Sequence, residues 1–249
     1  MSDQTMDLHK TGEPLNGVAS PDCGDLRWDI LADCRHCAVR RQALFSALRG
    51  PDFEHIFLPI RSAVCPKNTI LYEQDQPADA VYSIRRGMLK LIKHSSTEGD
   101  RIVRLLGCGT ATGLEAVTHG LYWHTAVALR ELEVCRIPLG VFDELQARNI
   151  QLSDRMVGQW EHQVIEADRW LAELGAGALH ERVRRLVRVL AEMDAAEGNR
   201  LELPPMADLA NILGASRESV SRALAELKRG KALRRVAPRT YECDLDAMS

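Results

Sequence analysis

The chain has no apolar run approaching the ~20 residues needed to cross a bilayer as a helix, and no internal repeat or low-complexity tract of consequence. Residues Met1 to Gly24 are polar and lack the apolar centre of a secretory signal. These absences predict a protein that stays in a reducing cytoplasm with no membrane partner. Catalytic motifs are missing too: no Ser-His-Asp grouping, phosphate loop or paired-carboxylate motif stands out, which argues against an enzyme. What remains is a chain of 249 residues, 45% hydrophobic and 27% charged, enough for one large or two modest domains with a buried core. It carries seven cysteines. In a reducing compartment these are packing residues, reactive thiols or metal ligands rather than a disulfide scaffold.

The formal net charge of −3 conceals an asymmetry. Residues 178–239 hold 13 Lys and Arg against 8 Asp and Glu, a surplus of +5 that leaves −8 on the rest. A basic C-terminal segment on an acidic body suits a polyanion partner. An ordinary charged helix surface explains the numbers equally well, so charge alone does not decide.

Four stretches follow from the pattern of breaks and periods. Residues 1–33, interrupted by Gly12, Pro14, Gly17, Pro21 and Gly24, read as a flexible arm, followed by a short amphipathic helix over 41–48. Residues 34–150 form the next unit. Within it, Ile70–Tyr72, Ala80–Ile84, Met88–Ile92, Arg101–Leu106, Thr125–Leu129 and Leu132–Ile137 are short strand candidates between turns, indicating an antiparallel roll of jelly-roll type. Residues 151–177 change to a helical period. Met156, Trp160, Gln163, Ala167, Trp170 and Leu174 recur at alternating steps of four and three, a coiled-coil seam with one polar position. Such a stripe either pairs two chains or packs on the chain's own roll; the two tryptophans favour a homodimer. Residues 178–249 give a helix, two short helices and a C-terminal strand pair. The fold class is therefore α+β.

The strongest motif begins at Met206. Leu209 and Leu213 face inward on a first helix, small Ala210 admits a second helix, and Gly214 occupies the turn between them. Ser216 is placed to cap the second helix, whose buried side is Val220, Leu224 and Leu227. This is a helix-turn-helix pattern. Its opposite face presents Arg217, Glu218, Ser221 and Arg222 near the helix N-terminus, the part that reaches base edges in a major groove. Lys228, Arg229, Lys231, Arg234 and Arg235 extend a basic surface suited to phosphates, and 232–236 with 240–243 make a two-stranded wing.

A β-roll, a long helix and Ser-Arg-Glu-Ser-Val-Ser-Arg on a winged helix-turn-helix resemble the CRP/FNR transcription regulators, over residues 34–243. The resemblance implies that Glu218 and Arg222 read the TGA core of inverted half-sites in double-stranded DNA, and that RNA polymerase is a partner. Ser221 matches the FNR-type motif and Arg217 the CRP-type motif, so the first half-site bases stay open. In cyclic AMP binders of the family, a Gly-Glu pair and an Arg-Ser pair hold the phosphate. Here the matching residues are Gly113-Leu114-Glu115 and His124-Thr125, without the arginine. A buried phosphate lacking its cation is costly, so no cyclic nucleotide is expected.

Cys34-Arg-His-Cys37 precedes the roll as the FNR cysteines do, and Cys135 before Ile137-Pro138 matches the distant FNR cysteine. The resemblance implies ligands for an oxygen-labile [4Fe-4S] cluster that controls dimerisation, a cluster normally held by four thiolates. The usual third N-terminal cysteine is absent. Cys23 folding back is the expected replacement, with Cys65 and Cys108 as alternatives that fall in the roll and are expected to pack there, and Cys243 structural or incidental. Zinc or a thiol switch would use the same Cys-x-x-Cys pair, and a thiol-redox or ligand-independent regulator would use the same DNA element. From another class, a metal-binding electron-transfer protein is the rival.

Overall fold

Short apolar runs separated by turn residues cannot bury both faces alone, and they do so here by stacking two antiparallel sheets. The chain is described from a computed structural model, which covers residues 28, 30–32, 37, 60–97, 99–148, 151–194 and 200–244. The strands of the roll are β1 (Ile30–Leu31), β2 (Arg61–Cys65), β3 (Ile70–Tyr72), β4 (Ala80–Arg86), β5 (Leu89–Lys93), β6 (Arg101–Leu106), β7 (Ala111–Thr112), β8 (Thr125–Ala128) and β9 (Leu132–Pro138). One sheet has the order β1-β2-β9-β4-β7 and the other β3-β8-β5-β6. The core between them gathers Cys65, Leu71, Tyr72, Tyr82, Ile84, Leu89, Leu91 and Leu132. The expected strand positions all fall on these elements; β1 and β7 are too short to stand out in the sequence, and β2, Arg-Ser-Ala-Val-Cys, does not alternate.

Residues 28 and 30–32 of the expected arm lie against the roll. Ile30 and Leu31 pair with Ser62 and Arg61, and the Trp28 ring stands 6.1 Å from that of Tyr82. Backbone pairing and the partly buried indole of Trp28 offset the ordering cost of that short segment. The helix expected over 41–48 lies outside the described residues, as do Cys23 and Cys34.

The roll's two outer faces are both covered, which is why β4 is buried from Ala80 to Ile84 rather than alternating. Over the five-stranded sheet lie α2 (Leu139–Arg148) and the start of α3 (Gln151–Gly175), where Phe142, Leu152 and Met156 meet Val81 and Ile137. Over the four-stranded sheet lies the C-terminal unit. It comprises α4 (Leu179–Met193), β10 (Arg200–Glu202), α5 (Met206–Leu213), α6 (Arg217–Arg229), β11 (Leu233–Ala237) and β12 (Thr240–Cys243). One apolar cluster joins Met88, Ile92, Ile102 and Leu105 of the roll to Leu186, Leu190, Leu209 and Leu213. The wing has three strands, in the order β10-β12-β11, not two. Turn geometry at β4–β5 requires glycine: Gly87 has φ +90°, and a Cβ there would stand 2.1 Å from the Glu131 carbonyl oxygen.

The stripe expected to pair two chains faces inward. Met156 and Leu174 are buried against the chain's own cores, and Trp160 and Trp170 pack on the same two clusters half-buried. Ala167 is also half-covered. Gln163 donates from Nε2 to the Ala111 carbonyl at 2.9 Å and accepts from Arg104 at 3.0 Å. The polar seam position thus ties α3 to its own roll. The outward face of α3 carries a different apolar set, Val157, Val164, Ile165 and Leu171, each more than half exposed. The difference is a rotation by one residue, about 100° around a helix.

Candidate functional site

The reading element is built on short-range signals. Leu209, Ile212 and Leu213 anchor α5, and Gly214 ends it in the left-handed region at φ +56°, with its N–H returning to Ala210 and Asn211 carbonyls. Two residues on, Ser216 caps α6 by accepting from the Ser219 N–H at 3.2 Å. Val220, Ala223 and Leu224 hold α6 down, leaving Arg217, Glu218, Ser221 and Arg222 exposed together on its outer face. The Arg222 guanidinium donates to Ser219 Oγ at 3.2 Å, which restrains it on the helix surface. Lys228, Arg229, Lys231, Arg234 and Arg235 are exposed beyond it, so the basic surface runs from α6 onto the wing. A helix whose N-terminal turn carries two guanidiniums, a carboxylate and a hydroxyl can meet base edges, and the flanking cations can meet phosphates. Ser216→Ala is expected to lower the unfolding free energy by about 1 kcal/mol. Denaturant unfolding checks this; an unchanged midpoint would mean the cap contributes nothing.

Inside the roll, Gly113 lies against the Tyr122 ring, 3.0 Å from where a Cβ would stand. Tyr72 is fully enclosed, stacks on Tyr122 at 3.9 Å and shares a hydroxyl hydrogen bond with Thr112. His124 is half-buried. Burial pushes its pKa down to about 4, helped by Arg104 and Lys93, so the ring is neutral near pH 7. Glu115 is buried and accepts from the Trp123 N–H at 3.2 Å. The Arg104 guanidinium, which burial makes less basic, donates to Gln163.

On the other face, the bulge between Ile84 and Arg86 puts Arg85 beside β9. Its guanidinium pairs with Glu133 at 2.9 Å, hydrogen-bonds Cys37 and interacts with Cys135. Cys135 is buried and Cys37 half-buried, so two of the four expected ligands share one cation. Cys108, expected to pack in the roll, is exposed: its thiol donates to the Arg85 carbonyl at 3.0 Å, and burial of the sulfur with Cys37 and Glu133 nearby raises its pKa. No sequence spacing relates Cys37 and Cys108; the Gly107–Gly109 turn against β4 brings the second toward the first. Cys65 and Cys243 lie in apolar clusters. None of the described cysteines is in a disulfide, and among the described residues no three His, Cys, Asp or Glu side chains are grouped to hold a metal. No helix among the described residues is long and apolar enough to cross a membrane.

Comparisons with known proteins agree with both halves of this architecture. Residues 63–149 match the cyclic nucleotide-binding domain family and residues 184–249 the Crp-like helix-turn-helix domain. The transcriptional regulatory protein btr of Bordetella pertussis is 29% identical, over 82% of this chain and 86% of its own. The anaerobic regulatory protein of Pasteurella multocida is 23% identical, over 79% and 74%. Among solved structures, FixK2 from Bradyrhizobium japonicum superposes with a TM-score of 0.69 at 22% identity, covering 77% of this chain and 96% of that one, a likeness of fold. The roll, the capped reading helix and these matches together make the chain a DNA-binding transcription regulator of the CRP/FNR family.

Proposed function

We propose that the protein is a homodimeric, FNR-like regulator of transcription that responds to oxygen or redox state through cysteine thiols ahead of and within its roll. The observation that carries this reading is Arg85, hydrogen-bonded to Cys37 and within electrostatic reach of Cys135. A guanidinium there offsets the negative charge of thiolates and suits an anionic metal–thiolate site. Relatives named for anaerobic regulation support it. Cys34, Cys37 and Cys135 would hold a [4Fe-4S] cluster, with Cys23 or Cys108 as the fourth ligand. When bound, the cluster supplies an oxygen-labile iron–sulfur unit. The chain's own residues do the rest: Arg85 balances charge, and Arg217, Glu218, Ser221 and Arg222 read inverted TGA-core half-sites about one DNA turn apart, roughly 34–36 Å. RNA polymerase is the downstream partner, and the cytoplasm the place of action. The neutral His124 and the Tyr72–Tyr122 stack support a roll that takes no cyclic nucleotide.

Pairing of two chains is assigned to the outward face of α3. Val157, Val164 and Leu171 are spaced seven residues apart and lie exposed in the single chain, as a coiled-coil seam requires.

Protein purified without oxygen is expected to be brown, to contain iron and sulfide, and to lose colour in air. Cys23→Ser and Cys108→Ser then identify the fourth ligand, as the variant that loses iron. A colourless anaerobic protein without iron would overturn the cluster. The nearness of Cys108 to Cys37 favours a thiol switch as the second reading. Its signature is a Cys37–Cys108 disulfide in air, found by mass spectrometry and reversed by reductant.

A further inference from the structure

Strand β6 lies at the edge of its sheet, so part of its backbone has no strand partner. Exposed strand edges must be paired, covered or blunted. Here the cover is one side chain from the DNA-reading unit. Asn211, on the first helix of the helix-turn-helix, accepts from the Ile102 N–H through Oδ1 at 2.6 Å and donates from Nδ2 to the Asp100 carbonyl at 2.8 Å. A carboxamide is suited to this because it offers a donor and an acceptor side by side, as a neighbouring strand would. One turn earlier on the same face, Asp208 pairs with Lys90 of β5 at 2.8 Å, with both side chains largely withdrawn from solvent. At the end of the helix, the Arg101 guanidinium lies 3.2 Å from where a Gly214 Cβ would stand. Three successive points along α5 therefore meet the β5–β6 hairpin.

The same strand reaches α3. Two residues beyond Ile102, Arg104 donates to Gln163 in the middle of the long helix. Strand β6 thus touches the helix proposed to pair two chains and the helix that carries the reading head. The reading residues on α6 stay exposed, so this contact does not mask them.

We infer that Asn211 is a positioning residue for DNA reading: its amide clamps α5 to β6 and sets the direction in which α6 projects from the dimer helix. A dimer grips two half-sites at once only if its two reading helices match their separation and angle. The clamp acts on that geometry and not on any base. The inference rests on the proposed pairing through α3 and on half-site reading by α6.

The test uses the full-length protein with Asn211→Ala, and with Asn211→Asp, which keeps the acceptor but loses the donor. Binding is measured by fluorescence anisotropy on duplexes carrying inverted TGA-core half-sites, with the spacer lengthened or shortened by one or two base pairs. Wild type is expected to prefer one spacing. In Asn211→Ala that preference is expected to flatten by about fivefold, the scale of one or two lost hydrogen bonds, while discrimination between TGA and altered half-sites is retained. Asn211→Asp is expected to fall between the two. A merely structural role would lower affinity uniformly across spacings; that result, or an unchanged profile, overturns the inference. Hydrogen–deuterium exchange gives a readout without DNA: the Ile102 amide is expected to exchange faster in Asn211→Ala. Unchanged exchange also overturns the clamp. Failure of wild type to bind any of the duplexes would instead strike the DNA-reading proposal, with the exchange result still judging the clamp.

Discussion

Val164→Glu is expected to turn the dimer into a monomer and to weaken binding to a two-half-site duplex by roughly 100- to 10,000-fold, the gain ordinarily supplied by linking two binding modules. Val164 is 60% exposed in the single chain and stands at the middle of the outward apolar face of α3, between Val157 and Leu171. In a helix pair this position is enclosed by the partner. A carboxylate there faces either burial without a countercharge or a gap in the seam. The fold of each chain should survive, because the side chain touches none of the three internal clusters. Sedimentation velocity reads the oligomeric state and anisotropy the affinity. Val64→Glu, at another exposed apolar residue on the roll, serves as control and should leave both unchanged. A Val164→Glu protein that still sediments as a dimer would remove this face of α3 from the interface.

Arg222→Ala tests the reading role itself. A bidentate Arg–guanine contact contributes about 1–3 kcal/mol of discrimination against the wrong base, a factor of roughly 5 to 150. Arg222 is exposed on α6 and restrained by Ser219, so its removal disturbs no core contact. Affinity for the matched half-site should fall by that factor, while binding to random duplex falls little, because the cations of the wing are untouched. A phosphate-contacting cation behaves differently: losing it weakens all duplexes alike and reduces the salt dependence. Equal losses on matched and random DNA would therefore reassign Arg222 from base reading to phosphate contact. Glu218, one turn before it, gives an independent second position at which to repeat the comparison.

The helix-turn-helix was legible in the sequence because its signals are local. A small residue, a glycine and a capping serine at fixed offsets determine the turn and the start of α6 whatever surrounds them. The roll strands were legible for the same reason, as apolar runs between turn residues. Strands β1, β7 and β10 were not: two or three residues carry no period, and only pairing with a distant strand defines them.

The long helix shows where pattern reading stops. Its 25 residues carry two apolar stripes one residue apart in phase, Met156 to Leu174 and Val157 to Leu171. A spacing of four and three identifies a stripe but not what covers it. The roll covers the first, as the buried Met156 and the Gln163–Ala111 bond establish. The second is left facing outward, and the pairing of two chains is assigned to it.

The cysteines divide in the same way. Cys34-x-x-Cys37 and the Cys135 context were visible as chain patterns, whereas Cys108 counted as packing. Its thiol reaches Arg85 only because the Gly107–Gly109 turn folds against β4.

The sequence by itself determined the element types, the capped second helix of the helix-turn-helix and the basic surface around it, all properties of neighbouring residues. Only the tertiary structure decided which side of α3 is left exposed, that Cys37 and Cys135 interact with Arg85, and that the helix-turn-helix is hydrogen-bonded to β6 through Asn211. Each of these joins residues far apart in the chain, and no period or spacing in one dimension encodes which surfaces meet in three.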